Sequence, residues 1–340
     1  MVKKIKVIII LIVVIVSIFI IAFSFWLFRP SEQKSAYYEV VVYKPDKVYN
    51  GTTLFTDGHD PNNPKVVEVD MQGHIIWEYI LPDGLKQYTN PGMEAELLSN
   101  GHILIVLPRY GIIEVNRNKD IVWQYLDNKV SHDADRLPNN NTLYVWGGND
   151  SYMDLQIKEI NESGSLVWSW RAYDYFYNDT YKNVFREGWT HCNSVTRMSN
   201  GHTLINLRNF NMTIEVNQSG DIVWSYNWTK YGTDPHEPEL LPNDNLLIGL
   251  QWDPVYNVVE LNRSTGDVVW NFTLENLRTV RDADRLPNNN TLIQGVISGS
   301  EESTIIEVTP DGEIVWQLNL KNAPAIHSPG WFYRAQRIGP

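Results

Sequence analysis

Short runs of alternating apolar and polar residues, separated by turns rich in Gly, Asn and Pro, recur from about residue 45 to the last residue. Alternation with a period of two predicts β-strands that each bury one face. Six of the runs end in two apolar residues and a tryptophan, at Trp77, Trp123, Trp168, Trp224, Trp270 and Trp316. Subtracting neighbouring positions gives intervals of 46, 45, 56, 46 and 46 residues. A strand repeat of this period is typical of a β-propeller, so we predict an all-β fold.

Each repeat contains four predicted strands in the same order. In one repeat the strands read HDADRL, TLYVW, LQIKEI and SLVWSW, and together they run from His132 to Trp170. The opening repeat has only its later strands, whereas the last segment, from Tyr333 to Pro340, resembles a first strand. We therefore predict a six-bladed β-propeller over residues 45–340, closed by pairing of the C-terminal strand with the opening repeat. This pairing would remove a free sheet edge.

The first 44 residues do not share the repeat. Residues 7–28 carry no charged side chain, and as a helix they would extend about 33 Å, enough to cross the hydrocarbon core of a bilayer. A cleaved signal peptide usually has an apolar region of only about 7–15 residues, so we favour an uncleaved N-terminal transmembrane helix that acts as a signal anchor. Lysines at 3, 4 and 6 would keep residues 1–6 in the cytoplasm. Residues 29–44 would form a linker, and the propeller would lie on the extracellular or periplasmic side of the membrane.

Composition agrees with an exported protein that does not bind nucleic acid. The formal net charge is −12, which disfavours a polyanionic partner. Eleven Asn-x-Ser/Thr tripeptides, from Asn50 to Asn289, are potential glycosylation sites, so we expect a glycoprotein. Cys192 is the only cysteine, which excludes an intrachain disulfide and a thiolate metal cluster. We expect no metal and no cofactor.

One position in each first strand could carry chemistry. Five residues before the apolar residue of the first turn, the repeats have Met93, His132, Asn193, His236, Arg281 and Tyr333. His191 lies two residues before Asn193 and therefore on the same strand face. If the first strand is the innermost one, three imidazoles and a guanidinium meet in the central channel of an otherwise acidic protein, which predicts an anion site. The alternative is that these histidines only hydrogen-bond to neighbouring strands.

Three segments of the chain resemble one enzyme family. HCNSVTRMSNGHTLINLRN, from His191 to Asn209, and the segments HDADRLPNNNTL and HEPELLPNDNLL are similar to motifs of the PAPS-independent arylsulfate sulfotransferases. Members of this family are periplasmic or extracellular six-bladed propellers that use a histidine nucleophile. The resemblance implies that His236 is the nucleophile and that His132, His191 and Arg208 bind the sulfuryl group. The chain departs from the family pattern on both sides of the nucleophile, where it has Pro235 and Glu237.

The resemblance also implies a reaction. A sulfuryl group would pass from an aryl sulfate donor to a phenolic acceptor through an N-sulfohistidine intermediate, with ping-pong kinetics. By register in the repeat, Asn193, Arg281 and Tyr333 are expected to bind substrate. One alternative is a non-catalytic propeller that binds a sulfated or other anionic extracellular ligand through the same residues. A second alternative is a structural scaffold whose channel is filled by packed side chains.

One interval between tryptophans is ten residues longer than most. The extra residues lie between Trp170 and His191 and include Tyr173, Tyr175, Phe176, Tyr177, Tyr181, Phe185 and Trp189. Because this insertion leads into the strand of His191, we expect it at the rim of the channel. It would form either an aromatic wall for phenolic rings or a long loop with its own apolar cluster.

Overall fold

The computed structural model describes residues 36–90, 92–323 and 332–340. The strands of the first half are β1 (Tyr37–Tyr43), β2 (Thr52–Asp57), β3 (Lys65–Val69), β4 (Ile75–Ile80), β5 (Glu94–Leu97), β6 (Ile103–Leu107), β7 (Gly111–Val115), β8 (Ile121–Leu126), β9 (Ser131–Arg136), β10 (Thr142–Val145), β11 (Ile157–Ile160) and β12 (Leu166–Trp170). A one-turn helix, α1 (Tyr173–Phe176), follows.

The second half continues in the same way. Its strands are β13 (Cys192–Arg197), β14 (Thr203–Leu207), β15 (Met212–Val216), β16 (Ile222–Asn227), β17 (Thr233–Leu240), β18 (Asn245–Trp252), β19 (Val258–Asn262), β20 (Val268–Phe272), β21 (Leu277–Arg285), β22 (Thr291–Ile297), β23 (Glu302–Val308), β24 (Ile314–Lys321) and β25 (Phe332–Ile338). A 3-10 helix, Arg208–Phe210, lies between β14 and β15.

In the described residues these strands form six antiparallel sheets, each made of one repeat. Blade 1 contains β25, β2, β3 and β4, and blades 2 to 5 contain β5–β8, β9–β12, β13–β16 and β17–β20. Blade 6 contains β21–β24 and, as a fifth strand, β1. Each blade contacts the next in sequence order, and blade 6 contacts blade 1 through β21, β22 and β25. The predicted six-bladed β-propeller is therefore confirmed, and its ring is closed by the pairing of β25 with β2.

The segment before the propeller contains a paired strand. Part of the predicted linker, Tyr37–Tyr43, forms β1 and pairs with β24 from Tyr37 opposite Lys321 to Tyr43 opposite Trp316. The predicted anchor at 7–28 and the tip at 1–6 lie outside the described residues. Within the part of the chain that is described, no helix is long and apolar enough to cross a bilayer.

A contact between Glu, Arg and Trp explains the period of the sequence. In each blade a Glu on the third strand faces the Trp of the fourth strand, and an Arg of the next blade lies over the Trp ring and pairs with the Glu. The six sets are Glu68–Arg117–Trp77, Glu114–Arg136–Trp123, Glu159–Arg197–Trp168, Glu215–Arg263–Trp224, Glu260–Arg285–Trp270 and Glu307–Arg337–Trp316. We call this set the boundary contact.

Each Trp of the boundary contact also donates a hydrogen bond to the next blade. The indole Nε1 of Trp123 donates to the carbonyl of Glu162 at 3.2 Å, and that of Trp316 donates to the carbonyl of Met71 at 2.9 Å. The second of these bonds joins blade 6 to blade 1. Because the boundary contact combines cation–π attraction, an ion pair and a hydrogen bond, it fixes one Trp per blade at one place in the repeat.

We expect Arg337→Met to lower the free energy of unfolding by about 3 kcal/mol or more, because it leaves the Glu307 carboxylate buried without its cation. Both side chains of this ion pair are fully buried, and the two groups are 3.2 Å apart. Chemical denaturation of the full-length chain measures the loss. Arg117→Met, at a boundary where the Arg side chain is 39% exposed, is the matched control and should cost clearly less. Equal losses of unfolding free energy in the two variants would contradict the view that the buried Arg337–Glu307 ion pair stabilises the ring more than the exposed pair does.

Candidate active site

The innermost strands of the six blades surround a central channel. They are β25, β5, β9, β13, β17 and β21, and each lies beside its two neighbours. The six aligned positions lie on these strands or, for one of them, directly before β5, and all six side chains are buried: Met93, His132, Asn193, His236, Arg281 and Tyr333. Register in the sequence repeat therefore corresponds to one level of the channel.

The backbone is irregular at this level. In five of the six innermost strands, pairing with the second strand shifts register at a β-bulge beside the aligned position. His132 and His191 have φ values of 33° and 44°, in the left-handed region. Such a conformation costs a residue with a side chain on the order of 1 kcal/mol or more, and it is found where a side chain must be directed to a particular place.

His132 and His191 form a hydrogen-bonded pair across the boundary of blades 3 and 4. Their Nε2 atoms are 3.0 Å apart, and their ring centroids are 4.6 Å apart. Gly147, at the end of the second strand of blade 3, permits this approach. A Cβ at that position would lie 1.7 Å from the carbonyl oxygen of Cys192, so a larger residue would separate the two blades.

Backbone carbonyls determine which ring nitrogens carry protons. Nδ1 of His236 is 3.0 Å from the carbonyl oxygen of Asp234, and Nδ1 of His191 is 2.9 Å from that of Glu187. A carbonyl only accepts, so each Nδ1 is a donor, and Nε2 of each neutral ring carries a lone pair. The lone pair of His191 accepts from Nε2–H of His132. Among the described residues, Nε2 of His236 has no hydrogen-bond partner.

Two buried arginines make this level of the channel positive. The guanidinium of Arg281 lies 5.1 Å from the ring centroid of Tyr333, and the ring of Tyr333 is 6.3 Å from that of His132. Arg208 begins the 3-10 helix after β14, and its Nη2 donates to the carboxylate of Glu187 at 3.2 Å. The Nε of Arg281 and the hydroxyl of Tyr333 are buried without a hydrogen-bond partner in the described structure.

The three histidines are neutral at pH 7. Burial, followed by the charges of Arg208 and Arg281, lowers the pKa of His132 well below its ordinary value. Burial, followed by His132 and Arg208, has the same effect on the pKa of His191. Burial, followed by the charge of Arg281, lowers the pKa of His236. Burial also lowers the pKa of Arg281 to about 10, so this group remains a cation. We call His132, His191, His236, Arg208 and Arg281 the channel cluster.

The family model that describes arylsulfotransferases (ASST) matches residues 38–245, more than half of the chain. The chain belongs to the arylsulfotransferase family. The match begins in β1 and ends at the start of β18, so it includes His132, His191, Arg208 and His236. Arg281 and Tyr333 lie beyond the matched residues. They come close to the other channel residues because blades 6 and 1 complete the ring.

Solved structures that resemble this chain share its propeller fold. A protein of unknown function from Bacteroides caccae superimposes with a TM-score of 0.59 and 18% identity, covering 84% of this chain and 98% of the other. A streptogramin B lyase superimposes with a TM-score of 0.52 and 12% identity, covering 86% of this chain and all of the other. At these identities the likeness shows the fold alone. A comparison with curated proteins finds no significant match.

The aromatic insertion has a buried part and an exposed part. Phe176 and Trp189 are buried and pack with Phe210 in the apolar core that blades 3 and 4 share. Tyr177 remains largely exposed and stacks on Tyr173 with a centroid distance of 4.6 Å. The insertion therefore has a packed base and an exposed aromatic surface.

The insertion also contacts the channel cluster through two residues that the sequence repeat does not mark. Glu187 supplies the carbonyl to His191 and the carboxylate to Arg208. Arg186 forms an ion pair with Asp234, the residue whose carbonyl binds His236. These contacts depend on a backbone carbonyl and on residues with no counterpart in the other repeats, so the alignment of repeats gave no signal for them.

Two polar residues hydrogen-bond to the backbone beside His191 and His236. Asp150, also missed from the sequence, accepts hydrogen bonds from the backbone of His191 at 3.1 Å and from the hydroxyl of Thr190 at 2.8 Å. Burial raises the pKa of Asp150 to about 6. Asn193 donates to the carbonyl of Pro235 at 3.1 Å, one residue before His236. The Asn193 amide is therefore bound to the neighbouring blade, where it positions the strand of His236.

Proposed function

We propose that this member of the family moves a sulfuryl group from an aryl sulfate to a phenol, with Nε2 of His236 as the nucleophile. The observation that carries the proposal is the state of His236. Its Nδ1–H donates to a backbone carbonyl, its Nε2 has no described partner, and its pKa is lowered beside Arg281. A buried, neutral imidazole with a free lone pair next to fixed cations is suited to attack an anionic electrophile.

In the first half of the reaction, Nε2 of His236 would attack the sulfur and form an N–S bond. The S–O bond to the aryl group would break, and its electron pair would leave with the phenolate, which takes up a proton. In the second half, the oxygen of the acceptor phenol would attack sulfur, the N–S bond would break, and the phenol proton would be released. Arg208 and Arg281 would neutralise the peripheral oxygens, which is the main demand of such a transfer.

The His132–His191 pair would bind the sulfuryl group in a protonated state. In the neutral pair, Nδ1–H of His191 is directed to Glu187 and Nε2–H of His132 to His191, so neither ring offers an N–H to an anion. Uptake of one proton would free such a donor. Asn193 would act by positioning the strand of His236, and Tyr333 would contact the aryl group or its oxygen from the opposite side of the channel.

We expect donor binding to tighten as pH falls within the range above the lowered pKa values of the free pair, by up to about tenfold per pH unit. The free pair is neutral in this range because its pKa values are lowered, whereas a bound anion raises them, so binding takes up a proton. Inhibition by an unreactive alkyl sulfate, measured against pH, gives the slope. His132→Gln offers an amide N–H that does not titrate and should flatten it. A wild-type slope near zero would contradict proton uptake.

The direct test of the proposal is a single-turnover experiment. The full-length chain, mixed with p-nitrophenyl sulfate without acceptor, should release about one equivalent of phenol in a burst. The peptide that contains His236 should then carry the mass of one sulfuryl group. Saturable binding of the aryl sulfate with neither burst nor adduct would favour the alternative of a non-catalytic propeller for anionic ligands.

We also propose that the propeller works outside the cytoplasm, held to the membrane by residues 7–28. The support is the uncharged segment itself, the lysines before it and the many glycosylation tripeptides of the propeller. Protease added to intact cells that express the chain should digest the propeller. Protection of the propeller until the cells are permeabilised would exclude this location.

A further inference from the structure

We propose that the end of the channel opposite the channel cluster binds a linear organic polyamine. A cavity of about 790 Å³ opens there, between the turns that join first and second strands. Carboxylates from blades 2, 3, 5 and 6 line it: Glu96, Asp135, Glu237, Glu239, Asp282 and Asp284. This volume is that of a site for a small organic ligand.

The charge of the cavity is not balanced by the protein. Of the arginines in its wall, Arg136 and Arg197 belong to boundary contacts, where they pair with Glu114 and Glu159. The third, Arg334, forms an ion pair with Glu94, a buried carboxylate deeper in the channel. A seventh lining carboxylate, Asp244, pairs with Arg263. Among the described residues of the wall, Arg334 is therefore the one guanidinium left to attract the other six carboxylates. Burial, followed by the charge of Asp284, raises the pKa of Glu239 to about 8.

Hydrogen bonds from the backbone occupy only some of the oxygens of these carboxylates. One oxygen of Asp282 accepts from the backbone of Ala335 at 2.9 Å, and one of Glu239 accepts from that of Arg285 at 2.7 Å. These bonds join neighbouring blades. In contrast, Oε1 of Glu237 has no hydrogen-bond partner in the described structure, although this residue lines the cavity and is only 9% exposed. An unpaired oxygen of a buried carboxylate is costly unless a cation binds beside it or the group holds a proton.

The geometry favours an extended organic cation over a metal ion. In the described residues, no group of three or more His, Cys, Asp or Glu side chains lies close enough to hold a metal. The carboxylates form two levels on β21, where Asp282 and Asp284 are two residues apart and pair in regular register with Gln294 and Leu292. Two residues along a strand span roughly 6.6 Å. Ammonium groups joined by three or four methylenes have a similar separation, so each level would bind one ammonium.

Titration calorimetry of the full-length chain with spermidine, at constant ionic strength, tests the inference. We expect saturable one-to-one binding and a Tm that rises by about 5 °C at a hundredfold excess over Kd. The double variant Asp135→Asn/Asp284→Asn should weaken binding by at least about tenfold. The matched control is Asp83→Asn/Asp179→Asn, which makes the same charge change at side chains that are 97% and 96% exposed. This control should bind as the wild type does.

Three results would overturn the inference: no saturable heat with the wild type, tighter binding of calcium than of spermidine, or equal losses in the cavity variant and the surface control. Near-UV circular dichroism shows whether each variant is folded. If the double variant does not fold, Asp284→Asn alone replaces it with the same expectation, since it removes one carboxyl group from the outer level. Retained spermidine affinity in that variant would also overturn the inference.

Discussion

Replacing His236 with Asn is expected to lower kcat for aryl sulfate turnover by at least about 10⁴-fold, because the amide has no nitrogen lone pair with which to attack sulfur. Asn retains an N–H that can donate to the carbonyl of Asp234, so the strand should keep its conformation. Phenol release measured by absorbance gives kcat, and mass spectrometry of the digested protein shows whether the sulfuryl adduct has disappeared.

The control for His236→Asn is His74→Asn, which changes a histidine that is exposed in a turn and bound to Asp70. It should leave kcat unchanged. Binding of an unreactive sulfate to His236→Asn should weaken only modestly, since Arg208 and Arg281 remain. Turnover within tenfold of the wild type would show that His236 is not the nucleophile. It would favour the alternative of a propeller that only binds anions.

Deleting residues 332–340 is expected to abolish cooperative folding of the propeller, or to lower its free energy of unfolding by more than about 5 kcal/mol. The deletion removes β25, exposes the inner edge of β2 and uncovers Leu54 and Phe55, which are now fully buried. It also leaves Glu94 and Glu307 buried without Arg334 and Arg337. Thermal and denaturant unfolding of the full-length and shortened chains measures the loss.

Removing Pro340 alone is the control for this deletion, because that residue is exposed and follows the end of β25. Its midpoint of unfolding should match that of the full chain. A chain that lacks residues 332–340 and yet unfolds cooperatively at the same midpoint would mean that the pairing of β25 with β2 does not stabilise the ring.

The sequence was sufficient to predict the blades because one physical contact recurs in every repeat. The period of Trp224 and its equivalents exists because an Arg of the next blade lies over each indole and pairs with a Glu of the indole's own blade. The closure of the ring was predictable because the opening repeat lacks a first strand and an additional first strand follows the last repeat. Strand β1 was assigned to a linker because a fifth strand, present in blade 6 alone, has no repeat to reveal it.

The level at which the candidate residues meet was predictable, but the way they are held was not. Strict alternation fails at the bulge between His236 and Glu239, where Glu237 has a φ of 42°. A bulge inserts one residue and interrupts the alternation, and β17 has too few apolar residues for the sequence to show the interruption. The partners of His191 and His236 are backbone carbonyls, which every residue possesses. Asp150 and Glu187 lie in irregular segments where no periodicity marks a side chain.

The boundary contacts join the third and fourth strands of each blade to the next blade, whereas the aligned candidate residues lie on or beside the innermost strands. The residues that hold the blades together are therefore different from those that meet in the channel. Each of the six aligned positions, from Met93 to Tyr333, can carry a different side chain without changing the boundary contacts. A propeller of this kind can vary the chemistry of its channel one position at a time.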